Sequence, residues 1–329
     1  MRTPESYARP ARDRRATGAR PARYRKDVTS GVLFIDKPPG HTSHDVVARA
    51  RRALGTRKVG HAGTLDPMAT GLLTLGVGPS TRLLTYLVGL DKQYETTMVL
   101  GRATITDDAE GEALGVAAPG TALDAITDER LTQEVTALTG ALTQRPSAVS
   151  AIKVDGRRAY DRVRAGEEVE LAGRAVTVAR FEVITVRRVP AGEEGPARIE
   201  VDARIDCSSG TYIRALARDL GAALGVGGHL SALRRTRVGP FGVDRAIDLD
   251  RLAEQGADAL AAASAVAGEL FPVLRLDGQQ AVDLGHGKRL ELAAQVDAEP
   301  VAAVAEDGRL VALISVQCGV GRTLVGFPA

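Results

Sequence analysis

The 329-residue sequence predicts an α+β fold, with a mixed, mostly antiparallel central sheet flanked by helices and a small β-rich C-terminal domain. Three observations carry this. Residues 93–100, and stretches within 176–189 and 198–207, alternate apolar and polar side chains and are rich in β-branched types, as half-buried strands require. Helical periodicity over 42–55 and 211–224 is interspersed with these strands without the regular βαβ alternation of a parallel sheet. From about residue 270 onward, short apolar runs alternate with Gly and Asp turns.

In chain order, "GVLFIDKPPG" predicts a short buried strand over Val32 to Ile35, stopped by Pro38, Pro39 and Gly40. "TSHDVVARARRALG" predicts a helix capped by Thr42 or Ser43 and ended by Gly55, with Val46, Val47, Ala50, Ala53 and Leu54 on one face. Its other face carries Arg49, Arg51 and Arg52, followed by Arg57 and Lys58. Residues 93–100 form the next strand, and about 123–139 form a helix. The strands within 176–189 and 198–207 follow, and then the helix over 211–224, with Ile213, Leu216, Ala217 and Leu220 on one side. The Ala-rich segment 253–268 is expected to be a helix that ends in a linker. The chain thus divides into a tail (1–28), a main domain (29–250), a helix and linker (251–269) and the C-terminal domain (270–329).

Composition narrows the class. Hydrophobic residues make up 44% of the chain, enough for a sizeable core, while aromatics are 3% and tryptophan is absent, so Ala, Val and Leu must fill it. Cys207 and Cys318 lie far apart and outside any CxxC or Cys/His spacing, which argues against a disulfide framework or a zinc site and fits a reducing cytoplasm. No apolar run approaches the roughly 20 residues of a membrane helix, and the charged N-terminus lacks the apolar segment of a secretory signal. Residues 1–26 hold nine Arg or Lys against Glu5 and Asp13, a net +7 in a chain whose total is +2. Such a tail is expected to be disordered, either without a role or as an arm adding non-specific attraction to phosphates.

Common chemistries find no support. There is no P-loop, no GxGxxG after a strand, no HExxH and no GxSxG elbow, so no metal and no nucleotide cofactor is expected. Asp107 and Asp108 are adjacent, so in a strand they would face opposite ways, and they suit a turn at "TDDAEG".

What remains is "HAGTLDPMATGLL", residues 61–73, in which Asp66 is the only carboxylate and no Lys or Arg is present. The residue before proline is driven out of the helical region, so Asp66 is presented on a stiff segment. Gly60, Gly63 and Gly71 permit close backbone approach by a ligand. Two readings stay open on these residues alone: a held nucleophile, or an Asp that merely starts a turn at Pro67.

The stretch "GHAGTLDPMATGLL" resembles the catalytic motif of the TruB family of tRNA pseudouridine synthases. The likeness extends, in the family's order, through "FIDKPPGHTSHDVV", "DKQYETTMVLG", "TITDDAEG", "QRPSAVSAIKVDGRRAY", "CSSGTYIRALARDLG" and "HLSALRRTRVG", covering about residues 31 to 240. One departure is Val149, where the family often has tyrosine.

The resemblance implies isomerisation of uridine to pseudouridine at position 55 in the T-loop of tRNA, without a cofactor, membrane or obligatory protein partner, by a monomer. It implies Asp66 as the catalytic carboxylate, Arg214 as its partner, and Tyr94 as the ring that stacks on the flipped uracil and assists loss of the C5 proton. Tyr212 would line the same pocket, His61 would fill the stack vacated by the base, and Lys37 would support the first motif or contact RNA. Arg49, Arg51, Arg52, Arg57, Lys58, Arg234, Arg235 and Arg237 would meet phosphates. The C-terminal 60 residues would form a small RNA-binding β-domain of the PUA type or a divergent substitute. Alternatives within the fold are a pseudouridine synthase acting on another RNA, or a non-catalytic tRNA-binding or tRNA-folding protein. The last would be signalled by loss of Asp66 or Tyr94, and both are present.

Overall fold

The structure is a computed structural model. It describes residues 30–145, 172–193, 195–292 and 296–328, together with the backbone of two short strands, Lys153–Val154 and Arg157–Arg158. The basic tail, Val149 and most of the motif around it lie outside the described residues.

The first half supplies β1 (Gly31–Lys37), α1 (Ser43–Ala53), β2 (Val59–His61), β3 (Thr70–Val77), α2 (Leu84–Val88), β4 (Lys92–Leu100), α3 (Gly120–Asp124), α4 (Asp128–Ala137) and β5 (Gly140–Gln144). Then come β6 (Arg174–Val189), β7 (Arg198–Cys207), α5 (Ile213–Ala223), β8 (Gly228–Val238), α6 (Leu249–Gln255) and α7 (Ala263–Leu270). The chain finishes with β9 (Val273–Leu276), α8 (Gly278–Gly285), β10 (Leu290–Glu291), β11 (Ala298–Ala305), β12 (Leu310–Gln317) and β13 (Val320–Gly326).

The main sheet runs β1-β3-β8-β4-β7-β6-β5, with β2 added to β3 and Phe241–Gly242 added to β8. Every pairing in it is antiparallel except β8 with β3. The expected α+β architecture, with its mostly antiparallel sheet, is therefore present. β3 reads TGLLTLGV and is buried at all but its first residue, so it lacks the alternation by which its neighbours announce themselves. β7 shows the contrasting case, its residues alternating between half-buried and buried from Arg198 to Cys207.

α1 begins at Thr42, whose hydroxyl accepts the Asp45 amide while the Asp45 side chain returns to the Thr42 amide, a capping box. Its apolar face packs Val46, Val47 and Ala50 into the core. The helix expected over 123–139 is split in two, because Thr127 is extended and its hydroxyl caps a new start, accepting from the Arg130 amide at 3.2 Å. The helix expected over 253–268 is likewise broken. Gly256, at φ 54°, ends α6, a 3-10 turn over Gly256–Ala259 follows, and α7 starts at Ala263. This segment is docked, since Ala261 exchanges two 2.9 Å backbone hydrogen bonds with Val32.

The C-terminal sheet runs β9-β11-β12-β13-β10. Ala302, Val304, Leu310, Leu313 and Phe327 share an apolar cluster with Val32, Phe34, Leu72 and Phe241 of the main domain. Arg245 closes that junction, with its guanidinium carbon 5.2 Å from the centres of both the Phe34 and Phe241 rings, and both its terminal nitrogens on Glu269. Among the described residues no helix is long and apolar enough to cross a membrane.

Candidate active site

The loop between β2 and β3 carries Asp66, and three long-range contacts fix its path. Ser43, buried in the first turn of α1, places its hydroxyl between the amide of Leu65 (2.8 Å) and the carbonyl of the same residue (3.0 Å). Lys37 is fully buried, and its Nζ donates to the carbonyls of Pro38, His41 and Pro67. The Gly40 amide donates to the Pro67 carbonyl at 3.1 Å. Asp66 then opens a turn over Pro67 in which its own carbonyl accepts the Ala69 amide at 3.1 Å. Asp66 thus starts a turn, as one of the two readings of Asp-Pro expects, and the braced turn fixes where its carboxylate is carried.

Gly63 and Gly71 bracket this loop at φ 90° and 94°. A Cβ on Gly71 would lie 2.3 Å from the Arg235 carbonyl oxygen, because β3 and β8 pair in parallel at this point. The position accepts no side chain.

Arg214, in the first turn of α5, faces the loop. Its Nε lies 3.1 Å from Asp66 Oδ2, and its Nη1 donates to Asp108 Oδ2 at 3.0 Å and to the Thr106 carbonyl at 2.9 Å. Asp108 is 5% exposed at its side chain and Asp66 36%, so the guanidinium bridges a buried carboxylate and a solvent-reachable one. The fork geometry of arginine makes this bridge possible from one side chain. Beside it, Asp107 holds Arg218 at 3.1 Å from an unusual φ of 60°. Burial pushes the Asp107 pKa up, with Arg218 and then Arg214 pulling it back.

Tyr94 is buried on β4 directly opposite Arg235 of β8. Burial pushes its pKa up, against Arg235, which also hydrogen-bonds its side chain. Tyr212 caps α5 at its start, where Gln144 accepts its amide at 2.9 Å and donates to its carbonyl at 3.3 Å. These residues surround a cavity of about 390 Å³, lined by Asp66, Tyr94, Tyr212 and Arg214 together with Leu65, Lys92, Leu233 and Arg235. The volume is within the about 300–1,000 Å³ usual for small-ligand pockets.

His61 stands apart, half-buried on β2 and absent from the cavity lining. Its ring meets His44 edge-on at 5.7 Å, and among the described residues its buried Nδ1 has no hydrogen-bond partner. Burial, then His44 and Arg235, lowers its pKa, which favours a neutral, stackable ring.

Two expectations need correction. Arg235 cannot meet phosphate, because it is 1% exposed and its guanidinium donates inward, from Nε to the Leu72 carbonyl at 2.7 Å and from Nη2 to the Gly63 carbonyl at 3.1 Å. Lys37 cannot contact RNA either, since its ammonium is consumed by the three carbonyls that brace the loop. Arg49, Arg52, Arg57 and Lys58 are exposed, as phosphate contacts must be. Arg51 is exposed but donates to the Val59 carbonyl, and Arg234 pairs with Asp36 and Arg237 with Asp91 and Asp206.

The chain is similar to known proteins. The model of the TruB family pseudouridylate synthase N-terminal domain matches residues 51–213. A tRNA pseudouridylate synthase B C-terminal domain matches 214–274, and a tRNA pseudouridine synthase II C-terminal domain matches 271–328. The tRNA pseudouridine synthase B of Leifsonia xyli is 60% identical over 304 residues, which cover 92% of this chain and 98% of that one. The chain belongs to the TruB family.

A second TruB relative, from Arthrobacter sp., is 52% identical over 306 residues, covering 91% of this chain and 96% of its own. Among solved structures, a Cbf5-Nop10-Gar1 complex matches with a TM-score of 0.63 at 28% identity, over 88% of this chain and 79% of that one. An H/ACA RNP bound to a substrate RNA aligns with a TM-score of 0.66 at 24% identity, over 92% of this chain and 86% of the other, a likeness of fold. TruB membership accounts for the ordered motifs that the sequence displays.

Proposed function

We propose that this pseudouridine synthase isomerises uridine at position 55 in the T-loop of tRNA, working as a monomer without an obligatory protein partner. The observation that carries the reading is the Asp66–Arg214 pair, 3.1 Å apart at the wall of a cavity that also contains Tyr94.

The reaction breaks the N1–C1′ bond, turns the uracil and joins C5 to C1′. Asp66 is the group that acts at the sugar, either attacking C1′ or taking the proton from C2′. Arg214 pairs with it and aims it. Tyr94 offers a flat, buried face to the base, a contact worth about 1–3 kcal/mol per base in nucleic-acid sites. Its raised pKa keeps the hydroxyl protonated at neutral pH, so the part this reading gives Tyr94 is to stack on the base. Tyr212 walls the cavity. His61, neutral and outside the cavity, is placed to take the space that the flipped base leaves in its loop. Arg49, Arg52, Arg57 and Lys58 supply sequence-independent attraction to phosphates. The β9–β13 sheet extends the RNA-facing surface in the manner of a PUA-type domain.

Mapping pseudouridine in unmodified tRNA incubated with the purified protein tests this. Modification at position 55 alone is expected. Unmodified tRNA, or modification confined to another site, would overturn it.

A further inference from the structure

Two cations in the cavity have no carboxylate partner among the described residues. Lys92, the first residue of β4, is 5% exposed and lines the cavity two residues from Tyr94, on the same side of the strand. Its Nζ donates to the carbonyls of Val88 and Leu90, which leaves one of the three N–H groups of an ammonium unused. The neighbouring Asp91 is occupied by Arg237 at 2.8 Å. Among the described residues no carboxylate lies within ion-pair distance of Lys92 or of Arg235, which is buried behind Tyr94. Asp66 shares Arg214, its one ion-pair partner among the described residues, with Asp108. The end of the cavity at β4 is therefore electropositive.

Burying cations without counter-ions opposes folding. Holding the Val88 carbonyl at the end of α2 and the Leu90 carbonyl just beyond it accounts for two of the Lys92 hydrogen bonds, but an exposed lysine does this equally well while keeping its charge in water. The burial is explained if the cavity receives negative charge.

We propose that Lys92, backed by Arg235, is the cationic contact for the base: its remaining N–H donates to a uracil carbonyl oxygen and stabilises the negative charge the base acquires as N1–C1′ breaks. This rests on the uridine reading above. The electron pair of the broken bond leaves with the uracil, whether Asp66 forms a bond to C1′ or removes the C2′ proton as C1′=C2′ forms. Both routes give the same uracil anion, its charge spread over N1 and the carbonyl oxygens. After the base turns, C5 bonds to C1′ as the Asp66–C1′ bond breaks or, on the other route, as Asp66 returns its proton to C2′; the C5 proton then leaves and N1 takes up a proton, so no co-reactant is required. Lys92 thus serves the bond-breaking step on either route.

The test compares tRNA carrying uridine at the target position with tRNA carrying 5-fluorouridine there, in single-turnover cleavage of N1–C1′. Fluorine stabilises the departing anion, so less help is needed from the protein. Lys92→Gln is expected to slow the uridine substrate on the order of 100-fold. The penalty on 5-fluorouridine should be several-fold smaller, and the Kd for tRNA should stay within about twofold. Lys92→Arg, which keeps the charge, should retain most of the rate. If a thermal melt shows the Gln variant unfolded, Lys92→Met carries the same comparison. Equal penalties on the two substrates, or no penalty, would overturn the assignment. A wild-type protein that leaves tRNA unmodified would instead overturn the proposed function.

Discussion

The Ser43 hydroxyl makes two hydrogen bonds to one residue, accepting the Leu65 amide at 2.8 Å and donating to the Leu65 carbonyl at 3.0 Å. A side chain from helix α1 thereby does for the Asp66 loop what a neighbouring strand would do for an extended segment, and it acts one residue from the carboxylate. Ser43→Ala leaves a buried N–H and C=O unpaired, at a cost of about 1–3 kcal/mol. A lower melting temperature with an at least tenfold lower turnover at saturating tRNA is the expected pair of results. Unchanged turnover would mean that Lys37 and Gly40 hold the loop without it.

Gly71 meets a harder limit. An added methyl would sit 2.3 Å from the Arg235 carbonyl oxygen and 2.9 Å from its amide nitrogen, and φ is 94°. Backbone atoms of a paired strand cannot yield as a flexible side chain would. Gly71→Ala is expected to destabilise the protein by about 3 kcal/mol or more, read from a chemical denaturation curve. A near-native midpoint would contradict the parallel pairing of β3 and β8.

Much of this site was legible in the sequence, because the residues that line the cavity sit in short ordered motifs and the elements carrying them have clean periodicity. Asp66, Tyr94, Tyr212 and Arg214 come together around one cavity. What was illegible lies in contacts between distant segments. The local sequence marks Asp108 as a turn former, and it does cap its turn by accepting the Glu110 amide. Its other oxygen holds Arg214 across 106 positions, which no local pattern encodes. Arg234 and Arg235 look alike in "LRRTR", yet successive residues of a strand point to opposite faces, and only Arg235 points inward. Ser43 was one of two plausible caps for α1. Thr42 takes that role and frees Ser43 for Leu65.

The Asp108 contact changes what removal of Arg214 should do. Arg214→Ala leaves Asp108 buried without its cation, a loss of about 3–5 kcal/mol for a broken buried pair. Stability and turnover should therefore fall together. The double change Arg214→Met with Asp108→Asn should recover most of the melting temperature while turnover stays lost, since Asp66 still lacks its partner. Recovery of both would make Arg214 purely structural.

The pH profile should carry a mark of Lys92. Burial, reinforced by Arg235, lowers its pKa to about 8, while Cys207 and Asp91 oppose the shift. Lys92 is therefore charged below that pH and loses its charge above it, so the single-turnover rate should fall as pH rises through about 8. Tyr94 is pushed upward by burial, and Cys207 to about 11, so neither titrates in this window. Lys92→Arg should move the fall to higher pH, and a descending limb that stays in place would assign it to another group.

The central claim is that Asp66 performs chemistry on uridine and does not merely shape its loop. Single-turnover formation of pseudouridine in tRNA by Asp66→Asn, beside tRNA binding by the same protein, tests it most directly. Asparagine keeps the size and polarity of the side chain and leaves the basic face of α1 untouched. Binding within a few-fold of wild type with no detectable pseudouridine is the result this account predicts, and measurable turnover by the Asn protein would contradict it.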